Sequence, residues 1–349
     1  MKLTRTLIAA AVGAALSFNA LAAERNIIVL TAAEDHGWTG SVATFAKQKA
    51  AEINQEGRYG AEVITCDSAG YQINQIEDIL ARGDKSLAGI VIQPIDDTVM
   101  SGLQQIVNAE IPYVDFDRII DGVSDKAVSN VKGDNEGIGA GAAAYFVSKG
   151  LKPGDKVYVY EGDTSSVTTL RNLGFTKYLT GQLAFNGEKI PDNLKWTEDQ
   201  VKKSLTYSGA TNWSRSNTKT SFESLLGEAS NADIRWIYAE DDELAMGILE
   251  ALRGGGIDDD IKERFLSHQP VITGCGGLEE LYSVLRGEEY QDLYKKLGGL
   301  MSVTYSPSMI QTAEQDMVDF LDGKAVTQDH VIECHNVTAD NVGSFKSFN

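Results

Sequence analysis

Short apolar runs alternate with amphipathic segments along this chain, and the alternation limits its possible folds more than any other feature. Each run is rich in β-branched residues and is bounded by Gly, Pro or Asp, which is typical of a buried strand. Near-continuous apolar strands separated by helices indicate a parallel sheet covered on both faces. The first half has strand candidates at residues 26–31, 61–66, 88–93 and 111–116, with helices at 41–56, 72–82 and 98–108 between them.

The same alternation begins again after Gly133 and predicts a second α/β lobe of the same kind. A chain of 349 residues is long for one hydrophobic core, which also favours two lobes. Three segments, 184–200, 254–269 and 288–299, show little periodicity and are interpreted as surface insertions. The second series has helices at 134–149, 167–180, 217–230 and 243–253, and strands at 156–160, 205–208, 234–239 and 270–273.

The N-terminal residues have the three zones of a secretory signal peptide. Lys2 and Arg5 precede an apolar run at 7–16, and the small residues Ala20 and Ala22 mark a cleavage site behind it. The run is well below the roughly 20 residues that a membrane span requires. We therefore expect a signal peptide at residues 1–22 and a soluble exported protein, located in the periplasm.

Charge and cysteine content exclude several functions. The net charge of −19 would repel nucleic acid and anionic membranes, so neither is an expected partner. The three cysteines, Cys66, Cys275 and Cys334, lie far apart in apolar stretches and are interpreted as buried free thiols. The histidines show no ligand spacing, so we expect no metal and no cofactor.

No motif of a known catalytic site is present in the sequence. A Gly-rich phosphate loop, a nucleophile elbow and a zinc helix are all missing. The acidic residues at 240–243 could suggest the paired carboxylates of a glycosidase, but the first turn of a helix favours acids anyway. The chain is therefore predicted not to be an enzyme.

The ends of the predicted strands carry aromatic, acidic and basic side chains. Ligands of open α/β sheets bind beyond the carboxyl ends of the strands, so these residues are the site candidates. A sugar ring stacks its C–H faces on Trp, and its hydroxyls donate to carboxylates and accept from arginines. This mixture predicts a carbohydrate or polyol site. The candidates that follow strands are Trp38, Asp117, Arg118, Trp213, Asp241 and Tyr305, with Arg171 on the helix behind one strand end.

Asp117 and Arg118 are adjacent at the tip of the fourth strand. We expect the two side chains to hold each other in place as an ion pair, while their remaining hydrogen-bonding capacity binds ligand hydroxyls. A salt bridge between the lobes, or an Asp that caps a helix, is the alternative that the sequence leaves open.

Four separated motifs occur in an order that resembles the ribose-binding-protein-like family of type I periplasmic substrate-binding proteins. They are the Asp117-Arg118 pair, "SVTTLRNLGF" at 166–175, "YAEDDELAMGILEAL" at 238–252 and "TGCGG" at 273–277. The resemblance implies two doubly wound parallel-sheet lobes joined by a hinge of three crossovers. It also implies lobe boundaries of 23–131 plus 307–330 for the first lobe, and 132–306 plus 331–349 for the second.

The resemblance also implies roles for the candidate residues. The two tryptophans would stack on the sugar from opposite lobes, and the second-lobe arginine and the Asp117-Arg118 pair would bind its hydroxyls. Asp241 stands where many members have asparagine, which implies an acceptor that cannot donate while ionised. The residues concerned are Trp38, Trp213, Arg171, Asp117, Arg118, Asp241 and Tyr305, the last near a position where glutamine often occurs.

Two departures from the family pattern concern the ligand. Gly276 stands where ribose and galactose binders usually have an aspartate, so plain ribose or galactose is not expected. The first loop is longer than usual and carries Glu34, Asp35 and His36. We expect one of these three residues to supply the contact that Gly276 cannot make.

The resemblance implies that the protein captures a small carbohydrate or polyol and delivers it to the permease of an ABC importer in the inner membrane. A chemotaxis receptor is a further expected partner. The alternative is a periplasmic sensor of a sugar-like or quorum signal that acts through a membrane receptor, and Gly276 keeps that alternative open. A repressor of the same architecture would need a basic helix-turn-helix where this chain has its predicted signal peptide.

Overall fold

The structure is a computed structural model that describes residues 25–33 and 37–349. The predicted signal peptide at 1–22 lies outside the described residues. The strands are β1 (Asn26–Ala32), β2 (Gly60–Cys66), β3 (Leu87–Ile92), β4 (Tyr113–Phe116), β5 (Ser129–Gly133), β6 (Val157–Glu161), β7 (Leu205–Ala210), β8 (Trp236–Ala239), β9 (Val271–Gly276), β10 (Gly299–Thr304), β11 (Asp329–Ile332) and β12 (Asn336–Val337). The helices are α1 (Gly37–Glu56), α2 (Ala69–Ala81), α3 (Met100–Asn108), α4 (Asn135–Ser148), α5 (Ser166–Leu179), α6 (Glu198–Ser204), α7 (Arg215–Gly227), α8 (Asp242–Arg253), α9 (Asp259–Ser267), α10 (Glu279–Arg286), α11 (Gln291–Tyr294) and α12 (Ile310–Leu321).

The strands form two six-stranded sheets, one in each lobe. The first has the order β11-β5-β4-β3-β1-β2, and its neighbouring strands are parallel. The second has the order β12-β10-β9-β8-β6-β7, and only its short edge strand β12 is antiparallel. The predicted α/β fold with two doubly wound lobes is therefore confirmed.

The central strands are buried along their length, as the apolar runs predict. All four residues of β4 and all six residues of β9 are buried. Parallel neighbours cannot be joined by tight turns, so the connections are helices that cover both faces of each sheet. Helix α8 agrees with the helix predicted at 243–253, because it buries its apolar residues and ends at Arg253.

The chain passes three times between the sheets. It crosses from β5 into α4, from β10 into α12, and from β11 to β12. The predicted hinge of three crossovers is confirmed by this connectivity. The residue boundaries of the lobes stay a prediction, and β11 continues past the expected limit at residue 330.

The three segments that were expected to be surface insertions in fact contribute to the cover of the second lobe. Residues 254–269 contain α9, whose Phe265 and Leu266 are buried. Leu293 of α11 and Trp196 are also buried. The prediction of surface insertions was wrong because these segments bury only one to three apolar side chains among many charged ones, too few to give a clear period.

Two further features concern the cysteines and the apolar character of the helices. Cys66, Cys275 and Cys334 are free thiols and are buried, as predicted. Within residues 25–33 and 37–349, no helix has the length and apolar character to cross a membrane.

A buried carboxyl group lies where α12 packs against α1. Glu314 is 0% exposed, and neither of its side-chain oxygens has a hydrogen-bond partner in the described chain. Burial raises the pKa of Glu314 to about 9, with the charges of Lys49 and Glu52 acting in opposite directions. The folded protein therefore holds this carboxyl group in its neutral form at pH 7.

Candidate functional site

The carboxyl ends of the two sheets face each other across a cleft, and the cleft contains a cavity. The space between its lining residues is about 510 Å³, including the open mouth. Of the nine predicted site residues, Asp35 and His36 lie outside the described residues, as does Glu34. The other seven line this one cavity, and they are Trp38, Asp117, Arg118, Arg171, Trp213, Asp241 and Tyr305.

Asp117 follows β4 in a γ-turn. Its φ is 69°, and the Arg118 N–H donates to the Phe116 carbonyl at 2.9 Å. Such a turn is strained, at a cost of about 1–3 kcal/mol, and strain of this kind clusters at ligand sites. The Asp117 carboxylate accepts from the Tyr305 hydroxyl and from Nε2 of Gln93, the latter at 3.2 Å.

Arg118 turns away from Asp117 and pairs with the other lobe. Its Nη2 donates to Oδ2 of Asp163 at 3.2 Å, and its Nη1 donates to the Pro94 carbonyl at 3.4 Å. The expected ion pair between Asp117 and Arg118 is therefore wrong, because the turn sends the two side chains to different partners. The alternative that the sequence left open, a salt bridge between the lobes, is the one that the structure has.

Trp38 forms an aromatic wall on the first-lobe side of the cavity. Its indole N–H donates to the Tyr305 carbonyl at 2.7 Å. Its ring stacks on Tyr305 at 5.2 Å between centroids and lies parallel to Phe116 at 6.2 Å. These contacts fix the orientation of the indole at the start of α1.

Arg171 is buried in the second-lobe wall with its guanidinium group held from two sides. Nε donates to Oδ1 of Asn135 at 3.0 Å, and Nη1 donates to the Glu240 carbonyl at 2.5 Å. The guanidinium carbon lies 5.3 Å from the centre of the Trp213 ring and 4.8 Å from that of Tyr305. Cation–π contacts of this kind are attractive and orient all three groups.

Two glycines bring α4 and α5 close enough to position Arg171. A Cβ on Gly139 would lie 1.9 Å from the Arg171 carbonyl oxygen, and one on Gly174 would lie 1.9 Å from the Glu136 carbonyl oxygen. Any side chain at either position would force the helices apart. The close approach is what places Asn135, in the first turn of α4, within hydrogen-bonding distance of the Arg171 side chain.

Glycines also support the aromatic rings of the cavity. Trp213 has a φ of 56°, and its indole lies directly on Gly162, where a Cβ would meet three ring carbons at 2.1 to 2.2 Å. The Tyr305 ring lies on Gly133 in the same way, with the nearest carbon at 2.3 Å from a Cβ placed there. No local sequence pattern indicates either contact.

Asp241 caps the N-terminus of α8 and borders the cavity. Its Oδ1 accepts from the Glu243 N–H at 2.8 Å. Burial, with a contribution from the charge of Asp242, raises the pKa of Asp241 to about 8. At neutral pH this carboxyl group is mainly protonated, so it can donate as well as accept. The expectation from the sequence concerned the ionised form, which accepts but cannot donate.

The loop at Gly276 is held from below by Asp242. The Asp242 carboxylate accepts from the N–H groups of Gly277 and Leu278 at 2.7 and 2.9 Å. Gly276 has a φ of 142°, and a Cβ there would lie 3.4 Å from Oδ2 of Asp242 and 3.6 Å from the Phe348 ring. An aspartate at position 276 would thus be strained in this loop.

Four cavity residues were missed by the sequence reasoning: Thr39, Gln93, Val167 and Glu243. Gln93 directly follows β3, so the rule about strand ends could have found it. Glu243 was attributed only to the start of a helix, but it lines the cavity and pairs with Arg215 at 2.6 Å. Among the described residues, no group of three His, Cys, Asp or Glu side chains could hold a metal ion.

The sequence profile of the family described as periplasmic binding protein domain matches residues 27–324. The chain belongs to this periplasmic binding protein family. This membership confirms the resemblance stated above and the prediction of a binding protein rather than an enzyme, and it implies a location outside the cytoplasm.

Curated relatives of the chain are import and binding proteins. The fructose import binding protein of Bifidobacterium longum is 27% identical over 237 residues, which are 66% of this chain and 60% of that protein. The ribose import binding protein of Escherichia coli is 24% identical over 318 residues, 84% of this chain and 96% of that one. The galactofuranose-binding protein of Escherichia coli is 28% identical over 291 residues, 82% and 81% of the two chains.

Solved structures share the fold at low identity. The crystal structure of a galactofuranose binding protein has a TM-score of 0.68 at 18% identity and covers 92% of this chain and 96% of its own. The Caulobacter myo-inositol binding protein bound to myo-inositol has a TM-score of 0.70 at 17% identity, with coverage of 92% and 96%.

Proposed function

We propose that the chain captures a small carbohydrate or polyol between its lobes in the periplasm and delivers it to an ABC importer in the inner membrane. The observation that carries this proposal is a cavity that residues of both lobes line together, with aromatic rings and hydrogen-bonding side chains from each. Relatives named for the import of fructose and ribose support the same assignment. They also favour transport over the alternative of a sensor, and a chemotaxis receptor stays a prediction.

The cavity offers the two kinds of surface that a sugar requires. Trp38 and Trp213 provide apolar faces for the C–H groups of a ring. Arg118 lines the cavity, and one N–H of each of its terminal nitrogens has no hydrogen-bond partner in the described chain. The neutral carboxyl group of Asp241 can both donate to and accept from a hydroxyl.

The mechanism follows from the placement of these groups on two lobes. Trp38, Asp117 and Arg118 lie on the first lobe and would make the initial contact with the ligand. Arg171 and Trp213 lie on the second lobe and would bind the ligand only when the lobes approach. Ligand binding therefore shifts the population towards the closed form by the free energy of the second-lobe contacts.

A thermal-shift screen of the protein without residues 1–22 tests the proposal. The panel contains aldoses, ketoses, furanoses, polyols and quorum signals. A ligand at 100 times its dissociation constant should add about 2.7 kcal/mol of stability, which raises the melting temperature measurably. The Trp213→Ala variant should lose most of this shift, whereas Tyr71→Ala, an exposed aromatic on α2, should keep it.

The comparison includes the melting temperature of each variant without ligand, so that a general loss of stability is recognised. No shift with any carbohydrate or polyol would contradict the proposed ligand class. A quorum signal as the single hit would support the sensor instead.

A further inference from the structure

One ion pair spans the cleft beside the cavity. Arg118 follows β4 in the first lobe and Asp163 follows β6 in the second, and their side chains are 3.2 Å apart. Both side chains are partly exposed, at 18% and 23%. Arg118, one of the two arginines that line the cavity, thus already has a counter-ion from the protein.

Asp163 is held in position and in its charged form. Its Oδ1 accepts from the backbone N–H of Ser165 at 2.9 Å and from the Ser165 hydroxyl at 2.5 Å. Burial acts against ionisation, but the Arg118 charge and the Ser165 donors together hold the pKa of Asp163 below its ordinary value. The carboxylate therefore remains a fixed negative charge at neutral pH.

The hydrogen bonds of Arg118 already tie it to the protein. Both terminal nitrogens donate to protein oxygens, Nη2 to Asp163 and Nη1 to the Pro94 carbonyl. The buried Nε has no partner in the described chain. The second N–H of each terminal nitrogen can serve a neutral hydroxyl, whereas a carboxylate or phosphate would seek the charge-assisted contact that Asp163 already makes.

An anionic ligand would also meet like charge. It would have to compete with Asp163 for the Arg118 guanidinium group or lie beside it, and the Asp117 carboxylate lines the same cavity. Arg171, the second arginine of the cavity, already donates to Asn135 and to the Glu240 carbonyl. Placing like charges next to each other is an effective way to reject a wrong ligand.

We propose that Asp163 is a specificity-determining residue that excludes sugar acids and sugar phosphates, so that the ligand is an uncharged monosaccharide or polyol. This inference rests on the proposed function and narrows its ligand class. Asp163 acts through Arg118, because it neutralises the arginine and occupies one of its terminal nitrogens.

Isothermal titration of the wild type and of Asp163→Asn tests the inference. The probes are three pairs that differ in charge: D-fructose and D-fructose 6-phosphate, D-glucose and D-glucuronate, myo-inositol and myo-inositol 1-phosphate. The wild type should bind the neutral member of a pair at least 100-fold more tightly than the anionic member. Asp163→Asn should reduce that preference at least tenfold, because Asn keeps a neutral acceptor and removes the charge.

Two further variants complete the design. Glu136→Gln is the matched control, because Glu136 is also a partly exposed, ion-paired carboxylate of the second lobe, bound to Lys177 at 2.7 Å. It should leave the preference unchanged. Ser165→Ala loosens Asp163 without changing any charge and should reduce the preference by a smaller factor than Asp163→Asn.

The outcomes separate the two proposals. Equal wild-type affinity for both members of a pair, or an unchanged preference in Asp163→Asn, would overturn the role of Asp163 and leave the proposed function intact. No binding of any probe by any of the proteins, with no thermal shift for any carbohydrate or polyol of the panel, would overturn both.

Discussion

Replacing the buried Glu314 by glutamine should change how the stability of the protein depends on pH. Burial raises the pKa of Glu314 from 4.5 to about 9 in the folded state. Between those two values the folded protein keeps a proton that the unfolded chain releases. Stability is therefore lost as the pH rises through this window, since the folded state binds more protons than the unfolded state. The Glu314→Gln variant would carry no such penalty, because an amide does not ionise.

The magnitude follows from one proton. A difference of one bound proton changes the free energy of unfolding by about 1.4 kcal/mol per pH unit. From pH 6 to pH 8 the wild type should lose about 2.7 kcal/mol through this group alone. Other buried acids contribute equally to both proteins, so the stability of Glu314→Gln relative to wild type should increase by about that amount over the same interval.

Urea unfolding at pH 6, 7 and 8, followed by circular dichroism, measures this difference. Glu77→Gln is the control, because Glu77 is an exposed glutamate on a helix of the same lobe, and its stability difference from wild type should stay constant. A constant difference for Glu314→Gln as well would refute the argument, since it would mean that the folded state does not hold the extra proton.

Two further predictions concern the cavity. Gly162→Ala should displace the Trp213 indole and weaken ligand binding by up to about tenfold. Gly70→Ala should leave binding unchanged, because a Cβ there meets nothing within 4 Å. If titration calorimetry gave Gly162→Ala the same affinity as the wild type, the contact would be disproved. Because burial raises the pKa of Asp241 to about 8, wild-type affinity should fall as the pH rises past 8, while Asp241→Asn should give a flat profile from pH 6 to 9.5. Coincident profiles would rule out the neutral carboxyl as the ligand contact.

The sequence predicts elements well where the information is local. The strands β1, β3 and β4 are apolar runs with clear boundaries, so the apolar pattern of the sequence is enough to predict their positions. Strand β5 was missed because its sequence, SNVKG, has a single large apolar residue, Val131. Strand β11 pairs with β5 from about 200 residues away, and no local pattern contains that partner.

The candidate site shows the same limit. Residues that follow the strands, such as Asp117 and Arg118, are correctly predicted to line the cavity. The reason is that parallel strands place their carboxyl ends at one edge of the sheet. The rule about strand ends cannot identify their partners. Asp163 is 45 residues from Arg118 and reaches it only because two separate lobes meet. The contact between Gly162 and Trp213 likewise depends on backbone geometry that the residue types do not encode.

The positions of the four tryptophans have an optical consequence. Trp196 and Trp236 are 3% exposed in the apolar core, so their emission should be insensitive to events in the cleft. Trp38 and Trp213 instead line the cavity, one on each lobe. A change in intrinsic fluorescence on addition of a solute would therefore originate from these two indoles, and exchanging either for phenylalanine would assign the signal to one lobe. The protein carries its own spectroscopic reporter for each lobe of the cleft, without any attached dye.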